Sequence, residues 1–215
     1  YLADMAKYAT PTETPRIMAV WNSIPQQLAK ENHKFQYKLI KSGGRAAVYE
    51  NAIAWLDAAG IIMRCTQVTE GTAPLKTFEN RSSFKVYTAD VGLLASQYEA
   101  TPQDLEPATD KAAGFRGGIT ENYVLQQLVA SDSSVYYWGT TSKAEVEFIA
   151  RAKQGDVIPI EVKSGRNVTA RSLESFRERY HPPYLVRVSA RNFGVGNGIR
   201  SIPLYAAWLL GEDLQ

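Results

Sequence analysis

The stretch EVEFIARAKQGDVIPIEVKSG, residues 145–165, gathers Glu145, Glu147, Glu161 and Lys163 inside two runs that otherwise read as buried strand. Side chains alternate along a strand, so Val146, Phe148 and Ala150 are predicted to share one face, and Ile158, Ile160 and Val162 another. An antiparallel hairpin turning at RAKQGD brings those apolar faces together when its axis lies near Gln154. That register pairs Val146 with Val162 and Phe148 with Ile160. It sets Glu147 against Glu161 and Glu145 against Lys163, which makes Glu145 peripheral. Carboxylates directly opposed across two strands stand roughly 5 Å apart and repel. When half-buried they need a proton or a cation between them. A hard divalent ion such as Mg²⁺ or Mn²⁺ suits such oxygen ligands. Lys163, on the same side as Glu161, could position an attacking water or stabilise a pentavalent phosphate.

A fourth acid belongs with these. Glu121 opens the helix TENYVLQQLVAS and shares its inward stripe with Leu125 and Leu128. The predicted ligand set is therefore Glu121, Glu147 and Glu161, with Glu147, Glu161 and Lys163 as the catalytic group. Each part also has a plainer reading. A glutamate near a helix start favours the macrodipole, and an E-x-K pair on a strand also suits a solvated face.

The elements that must position these residues alternate in type. After the helix come SVYYWGT, AEVEFIA and DVIPIEVKS as strands, ARSLESFRERY as a helix and PYLVRVSA as a strand. This is an α-β-β-β-α-β order, whose helical crossover implies that the last two strands are parallel. Tyr136, Tyr137 and Trp138 on the first strand are expected to pack in the core.

The preceding residues differ. TPRIMAVWNSIPQQLAKEN has Thr14 as N-cap and Pro15 at the first helical position. A short helix is expected around KFQYKLIK, then a Ser42-Gly43-Gly44 turn. RAAVYENAIAWLDAAG reads as a second helix stopped by Gly60. IIMRCTQV and SSFKVYTADVGLLA read as two strand-like pieces. Helix, turn, helix and hairpin is the order of a winged helix-turn-helix. The expected organisation is a winged-helix-like domain over 1–97, a Pro- and Asp-containing linker over 98–117, and the α-β-β-β-α-β domain over 118–215. The fold class is α/β (α+β).

At the acidic residues the chain resembles the PD-(D/E)XK nuclease superfamily, a restriction-endonuclease-like fold. By pattern it is most similar to archaeal Holliday-junction resolvases, which carry a helix Glu, a strand acid and an E-V-K-S stretch. The resemblance matches Glu121 to the helix acid, Glu147 and Glu161 to the strand acids and Lys163 to the lysine. It implies a Mg²⁺-dependent deoxyribonuclease. Glu147 departs from the pattern, because the first strand acid is usually Asp. A resemblance over nearly the whole chain rests on YLADMAKYA, PLKTFENRSSFKVYTADVGLLA, GGITENYVLQQL and YYWGTTSKAEVEFIARAKQGDVIPIEVKSG. These are similar to the C-terminal region of a bacterial and archaeal family of AAA-type ATPases, a domain of unknown function (DUF4143). It implies an N-terminal ATPase domain as partner.

The segment NHKFQYKLIKSGGRAAVY carries Lys34, Lys38, Lys41 and Arg45 and no acid. In a helix-turn-helix these groups would neutralise DNA phosphates. The same module also serves to dock proteins. Two functional readings follow: a nucleic-acid-processing module that cuts phosphodiesters, and a non-catalytic regulatory or interaction module.

Bulk properties frame both. The 215 residues are 45% hydrophobic and 21% charged, with a net charge of +2, which neither demands nor excludes nucleic acid. A single cysteine, Cys65, rules out a disulfide framework. His33 and His181 are isolated, which gives no reason to read either as a metal ligand. There is no apolar run fit to span a membrane and no signal peptide, so a cytoplasmic setting is expected. No phosphate-loop motif occurs, so the chain alone is not expected to hydrolyse ATP. It begins on Tyr1 in what reads as helix, which suggests a piece of a longer protein.

Overall fold

The computed structural model describes residues 5, 7–30, 33–106, 113–140, 144–165 and 171–214. Three helices and a hairpin come first: α1 (Thr14–Leu28), α2 (Ala46–Ala58), β1 (Ile62–Val68), β2 (Glu79–Thr88) and α3 (Val91–Gln97). They are followed by α4 (Ala113–Ala130), β3 (Val135–Gly139), β4 (Glu145–Arg151), β5 (Val157–Val162), α5 (Arg171–Tyr180) and β6 (Leu185–Ser189). β7 (Gly194–Gly196), β8 (Ile199–Pro203) and α6 (Leu210–Asp213) come last among the described elements. The α-β-β-β-α-β order is as expected, and β5 and β6 are parallel across the α5 crossover.

Among the described residues, eight strands form one mixed sheet in the order β2-β1-β3-β4-β5-β6-β8-β7. The N-terminal hairpin is thus continuous with the later strands. β1 runs parallel to β3 and pairs Thr66 with Tyr136 and Val68 with Trp138. Helices α1 to α4 cover one face, where Ile17, Ile24, Ile53, Leu125, Phe148 and Ile160 share a core. α5 covers part of the other, where Leu173 and Phe176 pack with Trp138 and Val146. Tyr137 and Trp138 are buried, as their strand position suggested.

Several local expectations need correction. KFQYKLIK forms only a 3₁₀ turn at Tyr37–Leu39. Residues before it are extended instead: Lys34 bridges to Lys85, and the Phe35 N–H donates to the Phe84 carbonyl at 2.8 Å. Two contacts hold this conformation. Phe35 stacks on Phe84, and the buried Gln27 amide both donates to and accepts from the Gln36 backbone at 3.0 and 2.9 Å. The second strand stops at Thr88, because the Asp90 carboxylate accepts from the Gly92 and Leu93 N–H groups and caps α3. Helix α4 begins at Ala113, inside the stretch read as linker. The stop at Gly60 holds, with φ at +65° after the last turn of α2.

Glycine sets how α4 approaches α1. A Cβ at Gly118 would lie 2.6 Å from the Leu28 carbonyl oxygen, whereas one at Gly117 would meet only His33 Cε1 at 4.0 Å. Gly118→Ala is therefore expected to force the helices apart and cost roughly 1–3 kcal/mol in urea unfolding. Gly117→Ala should cost little or gain slightly through helix propensity. Equal losses at both positions would show that the close approach is not what matters.

Candidate functional site

Glu161 lies on β5, a central strand whose six residues are all buried, and is 1% exposed. The β4–β5 ladder has the register drawn from the apolar pattern, with Phe148 opposite Ile160. It ends there. β4 shifts register against β3 between Tyr136 and Trp138, and Val146 joins the core under α5 while Phe148 joins the core on the opposite face. The expectation that Val146 and Phe148 share a face fails because of this irregularity. It also means that Glu147 is not a ladder partner of Glu161. Instead the Glu147 carboxylate fills the split between the strands, accepting from the Val162 N–H at 3.3 Å and from Lys163 Nζ at 2.9 Å. Lys163 Nζ is also 3.6 Å from Glu161, whose other oxygen lies 3.5 Å from Arg187 Nε on β6.

Glu121 is nearby but has different partners. Its Oε2 accepts from His33 Nδ1 and from the Tyr87 hydroxyl, both at 2.8 Å, and lies 3.7 Å from Lys85 Nζ. A carboxylate only accepts, so His33 carries its proton on Nδ1. Lys85, 1% exposed, reaches Glu145 at 2.7 Å and lies 5.0 Å from the centre of the Tyr137 ring. Glu145 is therefore the partner of Lys85 and not of Lys163, although its side chain is still a third exposed.

The electrostatics divide these acids. Burial pushes the Glu121 carboxyl up, but Lys85 and His33 together hold it well below the usual carboxylate range. Burial pushes Glu147 up, and Glu121 adds to this against the pull of Lys163. Glu161 is also raised by burial, despite Lys163 and Arg187. Lys85 and Lys163 are raised because their carboxylates outweigh burial. Three cations, Lys85, Lys163 and Arg187, thus face four carboxylates, Glu121, Glu145, Glu147 and Glu161. Glu147 and Lys163 are 14% and 32% exposed, so this ion pair reaches solvent.

A cleft of about 740 Å³ borders this cluster and is lined by Lys30, Lys34, Tyr137, Glu145 and Glu147, among others. Lys34 of the basic segment is thereby brought beside the acidic hairpin. Lys38, Lys41 and Arg45 are exposed on the 3₁₀ turn and on the approach to α2.

Residues 116–207 match a family described as a domain of unknown function (DUF4143). Residues 1–104 match a second family, also described as a domain of unknown function (DUF8612). The sheet runs across both matches, since β1 and β2 lie in the DUF8612 match and β3 to β8 in the DUF4143 match. No curated protein matches the chain. Among solved structures, the chain is similar to one of a half-complex from a tetradecameric assembly of Thermococcus gammatolerans McrB AAA+ hexamers with bound McrC. Identity is 10% and the TM-score 0.28, over 72% of this chain and 59% of that one. Among the described residues no helix is long and apolar enough to cross a membrane.

Of the predicted site residues, the fold brings Glu147, Glu161 and Lys163 together and sets Glu121 in the adjoining Lys85 network. Lys85, Tyr87, His33 and Arg187 were not foreseen. Lys85 in FKVYT and Arg187 in LVRVS do carry one signal. Each is a lone cation inside an apolar strand, where an unpaired charge is costly and a partner is required. As placed, the carboxylates offer a divalent ion no free pair. Glu147 and Glu161 share Lys163, Glu161 also holds Arg187, and Glu121 and Glu145 share Lys85. Among the described residues no group of three His, Cys, Asp or Glu side chains is arranged to hold a metal ion.

Proposed function

We propose that this chain is a nucleic-acid-binding, non-hydrolysing module of an AAA-type ATPase. In this reading a winged-helix-like N-terminal half is joined to a PD-(D/E)XK-like half kept for binding rather than cleavage. The observation that carries it is the internal neutralisation of the acidic cluster, in which Lys85, Lys163 and Arg187 already occupy the carboxylates. The order α1, turn, α2 and hairpin supports the winged-helix reading, and α4 through β6 supports the nuclease-like one. Lys30 and Lys34 at the cleft, with Lys38, Lys41 and Arg45 exposed, supply cations for a phosphate backbone. The ATPase partner is proposed from the long sequence resemblance, and a cytoplasmic setting goes with it.

The test is fluorescence anisotropy with labelled linear and branched DNA across a salt series, followed by incubation with Mg²⁺ or Mn²⁺. Binding is expected to weaken with salt. The pairs Lys30→Ala plus Lys34→Ala and Lys41→Ala plus Arg45→Ala should each reduce the slope of log affinity against log salt by about 2 if both cations meet phosphate. No cleavage is expected. Metal-dependent cleavage that disappears in Glu161→Ala would overturn the non-hydrolysing reading in favour of a deoxyribonuclease with Glu147, Glu161 and Lys163 in catalytic roles. Affinity unchanged in both pairs would redirect the basic segment towards a protein partner.

A further inference from the structure

We propose that Lys85 is the built-in cation of the carboxylate cluster: its ammonium, delivered by the N-terminal hairpin, holds Glu121 and Glu145 together without a metal ion. The inference deepens the non-hydrolysing reading and rests on the same pairing, but it concerns how the cluster is held and not what the chain binds.

Three observations carry it. Lys85 starts on β2 and is paired with Cys65 on β1, yet its Nζ meets Glu145 on β4 and Glu121 on α4. The side chain therefore crosses the face of β1 to reach groups of the C-terminal half. It is 1% exposed and lies 5.0 Å from the Tyr137 ring centre, so its charge is met by two carboxylates and an aromatic face. Tyr87 from the same strand and His33 both donate to the Glu121 oxygen that Lys85 faces, Oε2, so the chain itself supplies that oxygen with two hydrogen bonds and a cation.

A buried carboxylate, Glu121, and one whose side chain is a third exposed, Glu145, converge here from separate elements, and their mutual repulsion calls for positive charge between them. A hard divalent ion supplies it in many sites. Here a lysine supplies it, and the charge comes from the half of the chain that does not carry the acids. The cluster then depends on the docking of the hairpin, and removal of the lysine leaves carboxylates for which an ion can compete.

The experiment uses the whole chain and MnCl₂ as the probe. Thermal unfolding is recorded with Mn²⁺ and with EDTA, and free Mn²⁺ is counted by electron paramagnetic resonance. Wild type is expected to show the same Tm in both and to bind no Mn²⁺ at the cluster. Lys85→Met should have a lower Tm in EDTA, regain part of it with Mn²⁺ and bind the ion. Adding Glu145→Gln should abolish that binding. Mn²⁺ binding by wild type that is lost in Glu121→Gln or Glu145→Gln would overturn the proposal. So would a Lys85→Met variant as stable as wild type and indifferent to Mn²⁺. Should Lys85→Met not fold, the charge-balanced double variant Lys85→Met, Glu145→Gln decides. Folding of the double variant supports the role of Lys85 as counter-charge, and its failure to fold overturns it. None of these readouts involves DNA, so failure here is distinct from failure of the binding reading.

Discussion

Replacing Glu121 with alanine is expected to lower stability by roughly 3–5 kcal/mol, as is typical when one partner of a buried ion pair is removed. Folded domains are commonly stable by only about 5–15 kcal/mol, so the loss would be a large fraction of the total. The cause is the number of groups left behind. Lys85 would keep only Glu145, and the Tyr87 hydroxyl and His33 Nδ1–H would lose their acceptor. Glu121→Gln should cost less, since its amide oxygen still accepts. Urea unfolding of both variants checks this, and a loss below about 1 kcal/mol for alanine would put Glu121 in the ordinary range of an exposed ion pair.

Acid dependence gives a second view of the same residue. The Glu121 carboxyl is depressed from 4.5 to about 2. A depressed carboxylate contributes stability that is fully present above its unfolded value and is lost as pH falls through the folded one. The difference between wild type and Glu121→Gln should therefore be full above about pH 4.5 and fade towards pH 2. Glu147 and Glu161 are shifted the other way, so their protonation on acidification favours the fold. Both are present in wild type and in the variant, and the subtraction removes most of their effect. A difference that does not change across this window would mean that Glu121 is not the ionised partner of Lys85.

How much of this was legible without coordinates depended on whether the signal was local. Alternation of apolar residues was enough to place Phe148 against Ile160 and to put an acid and a lysine at the end of the hairpin. It could not reveal the register shift beside Trp138, which turns Val146 to the other face and lets Glu147 cap the Val162 N–H. The parallel pairing of β1 with β3 joins residues about seventy positions apart, and no pattern within either strand announces it. Lys85 was hidden for the same reason, because its partners come from that long-range pairing. The Asp90 cap, in contrast, was readable from TADVGLLA as an N-cap residue before an apolar helical run, and was missed by extending the strand through it.

The joint between the halves predicts the second large effect. Asn122, next to Glu121 on α4, is fully buried and faces the end of β2. Its Oδ1 accepts from the Thr88 N–H at 2.8 Å and from the Thr88 hydroxyl at 3.1 Å, while its Nδ2 donates to the Thr88 carbonyl at 2.9 Å. One amide thus completes both main-chain groups of a strand residue, as a neighbouring strand would. Asn122→Ala leaves the N–H and the carbonyl of Thr88 buried and unpaired. Each unsatisfied group costs about 1–3 kcal/mol, so a loss of roughly 2–6 kcal/mol is expected before the cavity is counted. Asn122→Asp restores the acceptor but not the donor, and should recover only part of the loss while adding a charge. Hydrogen exchange separates this from general destabilisation. The Thr88 amide should lose protection in Asn122→Ala beyond the global change, whereas the amides of β5 should follow global stability. If Thr88 and β5 lose protection equally, the hairpin and the central strands open as one unit, and Asn122 acts on the whole fold rather than on the joint. That outcome would also explain why Lys85 can cross from one half to the other without a flexible connection.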